Sequence, residues 1–410
     1  MSVLAEAGAA ATMAATIAPL RLRRGEDRRL RAGHMWVFSN EVDNDSTPLR
    51  EFAPGALARV LSERDQFIGY AYVNPHALIC ARILSRSPGH PPDRSLFEHR
   101  LRVALALRER LYSAPYYRWV FGESDGLPGL VLDRYGDVVV GQIATAGMEA
   151  QRAEIEAAVC AVLPLTALLW KNDGAARELE QLPRQVLSPV GRAPEQLHVL
   201  EGGLTYTVPL AGAQKTGWFY DQSGNRELWR RLVFPGARVL DVFSYAGAWA
   251  IGALARGARE AVCVDASEAA LEIARSNAAA NSVAIGSERG DAFEVLDALV
   301  RRGERFDAVV LDPPAFIKRK KDMARGQAAY RKLNQMAMRL LERDALLVSC
   351  SCSYHLAADE LLGLIQAAAS RNGRFAQVLY SGTQAPDHPI HPAIAETRYL
   401  KAFFCRVTRE

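Results

Sequence analysis

Of the 410 residues only six are cysteine, and only Cys350 and Cys352 lie close together. With Cys80, Cys160, Cys263 and Cys405 scattered, there is no disulfide framework. A C-x-C without a second pair nearby is a poor zinc site, so no metal is expected and the expected setting is a reducing cytoplasm. No apolar run is long enough to cross a bilayer, so no membrane partner is expected. The Ala-rich opening, residues 1–19, has no Lys or Arg ahead of its apolar part. It therefore lacks the charged front of a signal peptide and reads as a disordered tail. Charge of one sign is also scarce: a net charge of +4 is small for this length and leaves local clusters to decide whether nucleic acid is bound. The G-x-G-x-x-G fingerprint of dinucleotide binding is missing as well, which counts against a nicotinamide cofactor.

What is present is an ordinary globular composition, 49% hydrophobic and 23% charged, in a chain long enough for two or three domains. Residues 20–84 carry short strands rich in β-branched and aromatic residues, such as Trp36–Phe38 and Phe67–Val73, broken by turn residues. A small β-barrel fits that pattern. The stretch 85–94, SRSPGHPPDR, reads as a linker. Residues 95–200 mix helical spacing (96–111, 150–163) with hairpin alternation (129–143), an α+β module. From residue 201 to 410 strands and helices alternate, predicting a mostly parallel, Rossmann-like sheet whose ligands sit beyond the strands' carboxyl ends. The fold class expected is therefore α/β, with a β-barrel and an α+β module in front.

Motifs fall at those strand ends. The first strand runs through Asp241 into a small-residue turn, Phe243-Ser244-Tyr245-Ala246-Gly247, followed at once by a helix. An acid followed by such a turn suits a ligand with an adenosine and an amino-acid tail: turn amides for its carboxylate, Asp241 for its ammonium. Asp265 ends the next strand, where an acid accepts from ribose hydroxyls, and Ser267 follows as a helix cap. Asp291 falls where the adenine would lie. S-adenosylmethionine is the cofactor this set suggests.

The next strand runs into Asp312-Pro313-Pro314-Ala315-Phe316. Pro314 holds Pro313 extended, so the loop leaves the sheet stiffly, with carbonyls and an aromatic face for a flat base. Lys318, Arg319, Lys320 and Lys321 come directly after, suited to positioning phosphates. An arginine cluster, Arg21 to Arg31, opens the barrel, diluted by Glu26 and Asp27. The last motif is Ser349-Cys350-Ser351-Cys352-Ser353 at a strand end; strand alternation puts both thiols on one face.

Together these motifs resemble the bacterial 23S ribosomal RNA cytosine-5 methyltransferases of the methyltransferase I type. The likeness covers nearly the whole chain. Gly33 to Ser39 is similar to the start of their PUA domain, Gly122 to Asp137 to their central module, and Gln214 to Gln222, with Arg226, to the segment entering their class I methyltransferase domain. The resemblance implies 5-methylcytidine formation in 23S rRNA, with the RNA naked or in a large-subunit assembly intermediate. Cys352 matches the nucleophile, and Cys350 competes with it. Asp312 would support both ring and cofactor, Phe219 and Gln222 would join the cofactor residues, and Lys215 the RNA-binding ones. Thiolate attack on C6 would make C5 nucleophilic. The proton-abstracting base is not identifiable; Asp387 and His388 are candidates. Two other readings stay open: methylation of an exocyclic amine such as guanine N2 without a cysteine, and a non-catalytic ribosome-assembly factor that binds RNA. A homodimer and the nucleotide position are also open.

Overall fold

The computed structural model describes residues 17–211 and 215–409. The chain forms two compact units: residues 1–195, 211–216 and 387–397 make the first, and 196–210, 217–386 and 398–410 the second.

The first unit contains two five-stranded sheets. One is built from β1 (Ala18–Arg21), β2 (Trp36–Phe38), β3 (Leu57–Leu61), β4 (Phe67–Val73) and β5 (Ile79–Ser85), in the order β1-β3-β4-β5-β2. A bridge between Leu22 and Val42, just past the two edge strands, curls this sheet toward closure. The two-residue alternation of side chains along β3 buries Ala58 and Val60 in its core with Leu20, Val37 and Ile83. The other sheet comprises β6 (Tyr116–Phe121), β7 (Leu130–Tyr135), β8 (Val138–Ile143), β9 (Ala167–Asn172) and β10 (Gln185–Val190), in the order β10-β9-β8-β7-β6. Helices Arg94–Leu111 and Arg152–Val162 supply Phe97, Leu101, Ile155 and Val159 to its core, which also takes in Tyr72 and Leu84 of the first sheet.

Three boundaries differ from the sequence reading. The expected tail 1–19 ends early, because Ala18 already pairs with Ala58 in parallel; residues 1–16 lie outside the described residues. The barrel (20–84) and the α+β module (95–200) form one unit, because their apolar residues share a core cluster. The C-terminal domain expected over 201–410 starts earlier and is interrupted. β11 (Gln196–Glu201) pairs with β12 (Leu204–Pro209) in the second unit, whereas residues 387–397 fold with the first. Asp387 explains the excursion: its carboxylate accepts from the Arg118 amide at 2.8 Å and its carbonyl from Arg108 at 2.7 Å. Ile394 joins the core of the first sheet.

The second unit is built on a seven-stranded sheet of β13 (Arg238–Val242), β14 (Glu260–Asp265), β15 (Gly286–Arg289), β16 (Phe306–Leu311), β17 (Leu341–Ser351), β18 (Phe375–Gly382) and β19 (Lys401–Thr408). Its order is β15-β14-β13-β16-β17-β19-β18, parallel except for β19, which runs antiparallel to both of its neighbours. β13, β16 and residues 345–348 of β17 are largely apolar because helices cover both faces. The strand order reverses between β13 and β16, so the crevice that binds ligands in such sheets opens at their carboxyl ends. β13 ends at Val242 and β16 at Leu311. The two strongest sequence motifs therefore face each other there.

Candidate active site

On the β13 side, Asp241 is fully buried. Its Oδ2 accepts from the Ala250 amide at 3.1 Å, whereas Oδ1 has no hydrogen-bond partner. Burial raises its pKa to about 8; the Ala250 hydrogen bond opposes this and the charges of Asp312 and Asp265 add to it. Such an orphaned carboxylate oxygen is costly unless a cation or donor meets it. The turn that follows is shaped for close approach. Phe243, Tyr245 and Gly247 have φ of 66°, 45° and 77°, in the left-handed region. At Gly247 an added Cβ would lie 3.0 Å from that of Ala274, so only glycine fits without a shift. An ammonium ion beside Asp241 Oδ1 would satisfy the orphan, and the chain's own residues thus fit the amino-acid end of S-adenosylmethionine.

The neighbouring acids are more occupied than the sequence suggested. Asp265 accepts from the Tyr245 amide at 3.0 Å and the Ser267 amide at 2.9 Å, locking the turn to the end of β14. Ser267 caps helix Glu268–Ala280. Asp291 caps helix Ala292–Arg301, with Oδ1 accepting from Phe293 and Glu294. Ser244 is buried. Phe219 packs edge-on against Tyr245, with ring centres 5.5 Å apart, and Tyr245 donates to the Gly217 carbonyl at 2.8 Å.

On the β16 side, Asp312 is held at both oxygens: Gln222 Nε2 donates to Oδ1 at 2.9 Å and Trp249 Nε1 to Oδ2 at 3.2 Å. Gln222, expected to touch the cofactor, instead orients this carboxyl; its own Oε1 accepts from Asn225 at 2.7 Å. Burial raises the Asp312 pKa to about 6, helped by the charge of Asp221 and resisted by the Trp249 and Gln222 hydrogen bonds. The segment carrying Gln222 is anchored by Arg226, which makes two 2.6 Å bonds to Glu201 and donates to the Phe219 carbonyl at 2.9 Å.

The Asp-Pro-Pro loop and the Ser-Cys-Ser stretch are joined. The Ile317 amide donates to Ser353 Oγ at 3.1 Å, Ser353 Oγ lies 3.0 Å from Tyr330 Oη, and Ser351 donates to the same Oη at 2.9 Å. That relay sets Cys352, just beyond the end of β17, with Sγ 3.9 Å from the Pro313 carbonyl. Cys352 is half-buried. Cys350, the competing nucleophile, is not exposed. It is fully buried among Trp229, Trp249 and Phe404, and burial pushes its thiol well above the ordinary range. Strand alternation still holds; the strand simply ends between the two thiols.

Several expected RNA contacts are also redistributed. Pro313 is buried and Pro314 exposed. Phe316 is no free stacking face: its ring meets Tyr330 at 4.8 Å, Phe243 at 6.2 Å and Phe293 at 6.3 Å between centres. Lys318, Arg319, Lys320 and Lys321 are all exposed. Lys215 is exposed in the first unit, where Tyr135 and Asp133 bind Thr216; Gln214, just before it, lies outside the described residues. In the barrel cluster, Arg21, Arg29 and Arg31 are paired with Asp65, Glu41 and Asp27, which blunts its charge. Asp387 and His388 are buried in the first unit and bonded to each other at 2.7 Å, with the Asp387 carboxylate also accepting from the Arg118 amide. Sequence reasoning passed over Trp249, Tyr330 and Asn225, which only packing brings to the site; Ser351 and Ser353 stood inside the last motif without a role.

The PUA-like domain family matches residues 20–86, and the S-adenosylmethionine-dependent methyltransferase family matches residues 185–405. The ribosomal RNA large subunit methyltransferase I of Salmonella arizonae is 35% identical over 398 residues, covering 95% of this chain and 97% of its own. That of Erwinia tasmaniensis is 34% identical, with 95% and 99% covered. The chain belongs to the ribosomal RNA large subunit methyltransferase I family. Its cofactor is S-adenosylmethionine. Among solved structures, SMU.776 complexed with SAH shares the fold with a TM-score of 0.81 at 21% identity, over 95% of this chain and 100% of that one. Trm5b from Pyrococcus abyssi is more distant, with a TM-score of 0.52 at 16% identity over 68% and 74%. The methyltransferase family match accords with the fit at Asp241. Among the described residues no helix is long and apolar enough to cross a membrane.

Proposed function

We propose that this chain methylates C5 of a cytosine in large-subunit (23S) ribosomal RNA, through a covalent bond between Cys352 and C6. The observation that carries the reading is the placement of the half-buried Cys352 sulfur 3.9 Å from the Pro313 carbonyl, next to the doubly anchored Asp312. The rRNA substrate follows the names of relatives about a third identical over nearly the full chain, together with the PUA-like domain.

S-adenosylmethionine supplies an electrophilic methyl group at a sulfonium. The chain's residues do the rest. Asp241 holds the ammonium end, and the Phe243–Gly247 turn, sharply bent, lets the backbone approach. Cys352 attacks C6 of a cytosine that is unpaired or flipped out of its stack, and C5 becomes enamine-like. Asp312, with a pKa near neutrality, hydrogen-bonds N3 and the exocyclic amine as charge builds on the ring. Loss of the C5 proton then expels the thiolate. The exposed run Lys318–Lys321 binds flanking phosphates.

The test is methyl transfer to rRNA by Cys352→Ala and Cys350→Ala proteins, with adduct formation on 5-fluorocytidine RNA. The expected result is no turnover and no adduct for C352A, and both retained for C350A. Full transfer by C352A would end the cysteine reading in favour of methylation at nitrogen. Mass mapping of rRNA from a strain lacking the protein would give the position.

A further inference from the structure

Lys401 opens β19 and pairs in register with Ser351, the last residue of β17, level with the point where the chain turns into Cys352. Its Nζ donates to the Ser353 carbonyl at 2.6 Å and to the Tyr399 carbonyl at 2.9 Å. Those carbonyls fix the ammonium beside the cysteine turn and use two of its three donors, yet cancel none of its charge. Lys401 is half-buried, and among the described residues no Asp or Glu forms an ion pair with it. A partly desolvated cation normally has an anion at hand. The ionisable groups around it are Cys352, Glu360 and Arg398, and Cys352 favours its charged form more strongly than Glu360 does. Among the titratable groups interacting with Cys352 are Tyr330, from the helix Met323–Leu340, and Cys350, from β17 itself, both with pKa values raised by burial. Lys401 is therefore a cation that a thiolate at Cys352 would meet.

We propose that Lys401 is a positioning residue that holds the Cys352 sulfur as thiolate before attack and receives it again on release. The proposal rests on the cysteine reading above. The thiol proton leaves to water. The S–C6 bond forms as the C5–C6 π pair moves to C5; that pair then bonds the methyl carbon as the methyl–sulfonium bond breaks, its pair returning to the donor sulfur as a neutral thioether. When the C5 proton passes to water, its bonding pair restores the C5–C6 double bond and the S–C6 bond breaks, returning the thiolate to the ammonium. Lys401 keeps its protons throughout. Burial lowers its pKa to about 8, against the opposing charges of Cys352 and Glu360.

The test is iodoacetamide alkylation of the full-length protein against pH, read at the Cys352 peptide by mass spectrometry. Exposed Cys160 serves as an internal reference. The wild-type midpoint is expected below the ordinary cysteine value of about 8.5. Lys401→Gln and Lys401→Met should raise it by about one unit, slowing alkylation at neutral pH about tenfold, and Lys401→Arg should keep it low. A wild-type midpoint at or above the ordinary value overturns the proposal without any variant, as does an unmoved midpoint in K401Q. The two readings fail separately. Transfer by C352A sinks the nucleophile, whereas an unmoved midpoint with C352A inactive sinks only the lysine's role.

Discussion

Gln222 donates its side-chain amide to Asp312 Oδ1 across 2.9 Å, joining the helix Ser223–Leu232 entry to the Asp-Pro-Pro loop. Trp249 holds the other oxygen, so the carboxyl has one orientation before any base arrives. Replacing Gln222 by Leu removes a hydrogen bond to an ionisable group worth about 1.5–3 kcal/mol, which corresponds to roughly a ten- to hundredfold loss of kcat/KM if it is felt in the transition state. Steady-state methyl transfer by Q222L checks this; an unchanged kcat/KM would mean that Asp312 needs no such orientation.

Cofactor binding should depend on pH through Asp241. Its pKa in the free protein is about 8, above the ordinary carboxylate value. An ammonium at Oδ1 favours the ionised form, so binding releases a proton and affinity rises as pH climbs toward 8. Calorimetry with S-adenosylmethionine in buffers of different ionisation enthalpy measures that release. Affinity that falls over the same range would contradict it.

The same carboxyl sets the sign of a stability effect. A folded pKa raised above the unfolded value gives stability fully present below the unfolded pKa and lost as pH rises through about 8. The ligand-free wild type should therefore lose melting temperature between pH 6 and 9, and Asp241→Asn should flatten that loss while abolishing cofactor binding. Thermal scans of both proteins across this range decide it.

Cys350 is buried among Trp229, Trp249 and Phe404, where its thiol also meets the Gln222 side chain. Cys350→Ser buries a hydroxyl in that cluster and should cost about 1–3 kcal/mol of stability. Its activity should stay within a few-fold of wild type below the melting transition. Denaturant titration alongside methyl transfer separates the two effects.

The exposed run Lys318–Lys321 should bind by charge. Replacing Lys318, Arg319 and Lys321 by Ala should weaken RNA binding and flatten its dependence on salt by roughly 0.7–0.9 per charge in log–log slope. Cofactor affinity should not move. Filter binding at several salt concentrations is sufficient.

Much of the frame was legible in the residues alone. The alternation of apolar runs with helical spacing fixed a parallel sheet, and Asp241, Asp265 and Asp312 marked its carboxyl edge, because strand ends and small-residue turns are local features. The short strand β15 and the C-terminal pair β18 and β19 went unread. β15 is a polar four-residue strand, GSER, and β18 is largely exposed, so neither shows a clear apolar pattern.

What the linear order could not decide was which groups end up in the pocket. Cys350 and Cys352 look equivalent in sequence; only the end of β17 and its pairing with β19 put one in the core and the other at the rim. Gln222, Trp249, Tyr330 and Lys401 are far apart along the chain, and no local rule links them. They meet because strand order, not sequence order, determines which neighbours a buried polar group finds, and each one left without a partner would destabilise the fold. The sequence alone therefore determined the sheet, the cofactor turn and the candidate chemistry. The tertiary structure decided which sulfur lies against the Asp-Pro-Pro loop and which side chains hold the carboxyl and the cysteine turn in place.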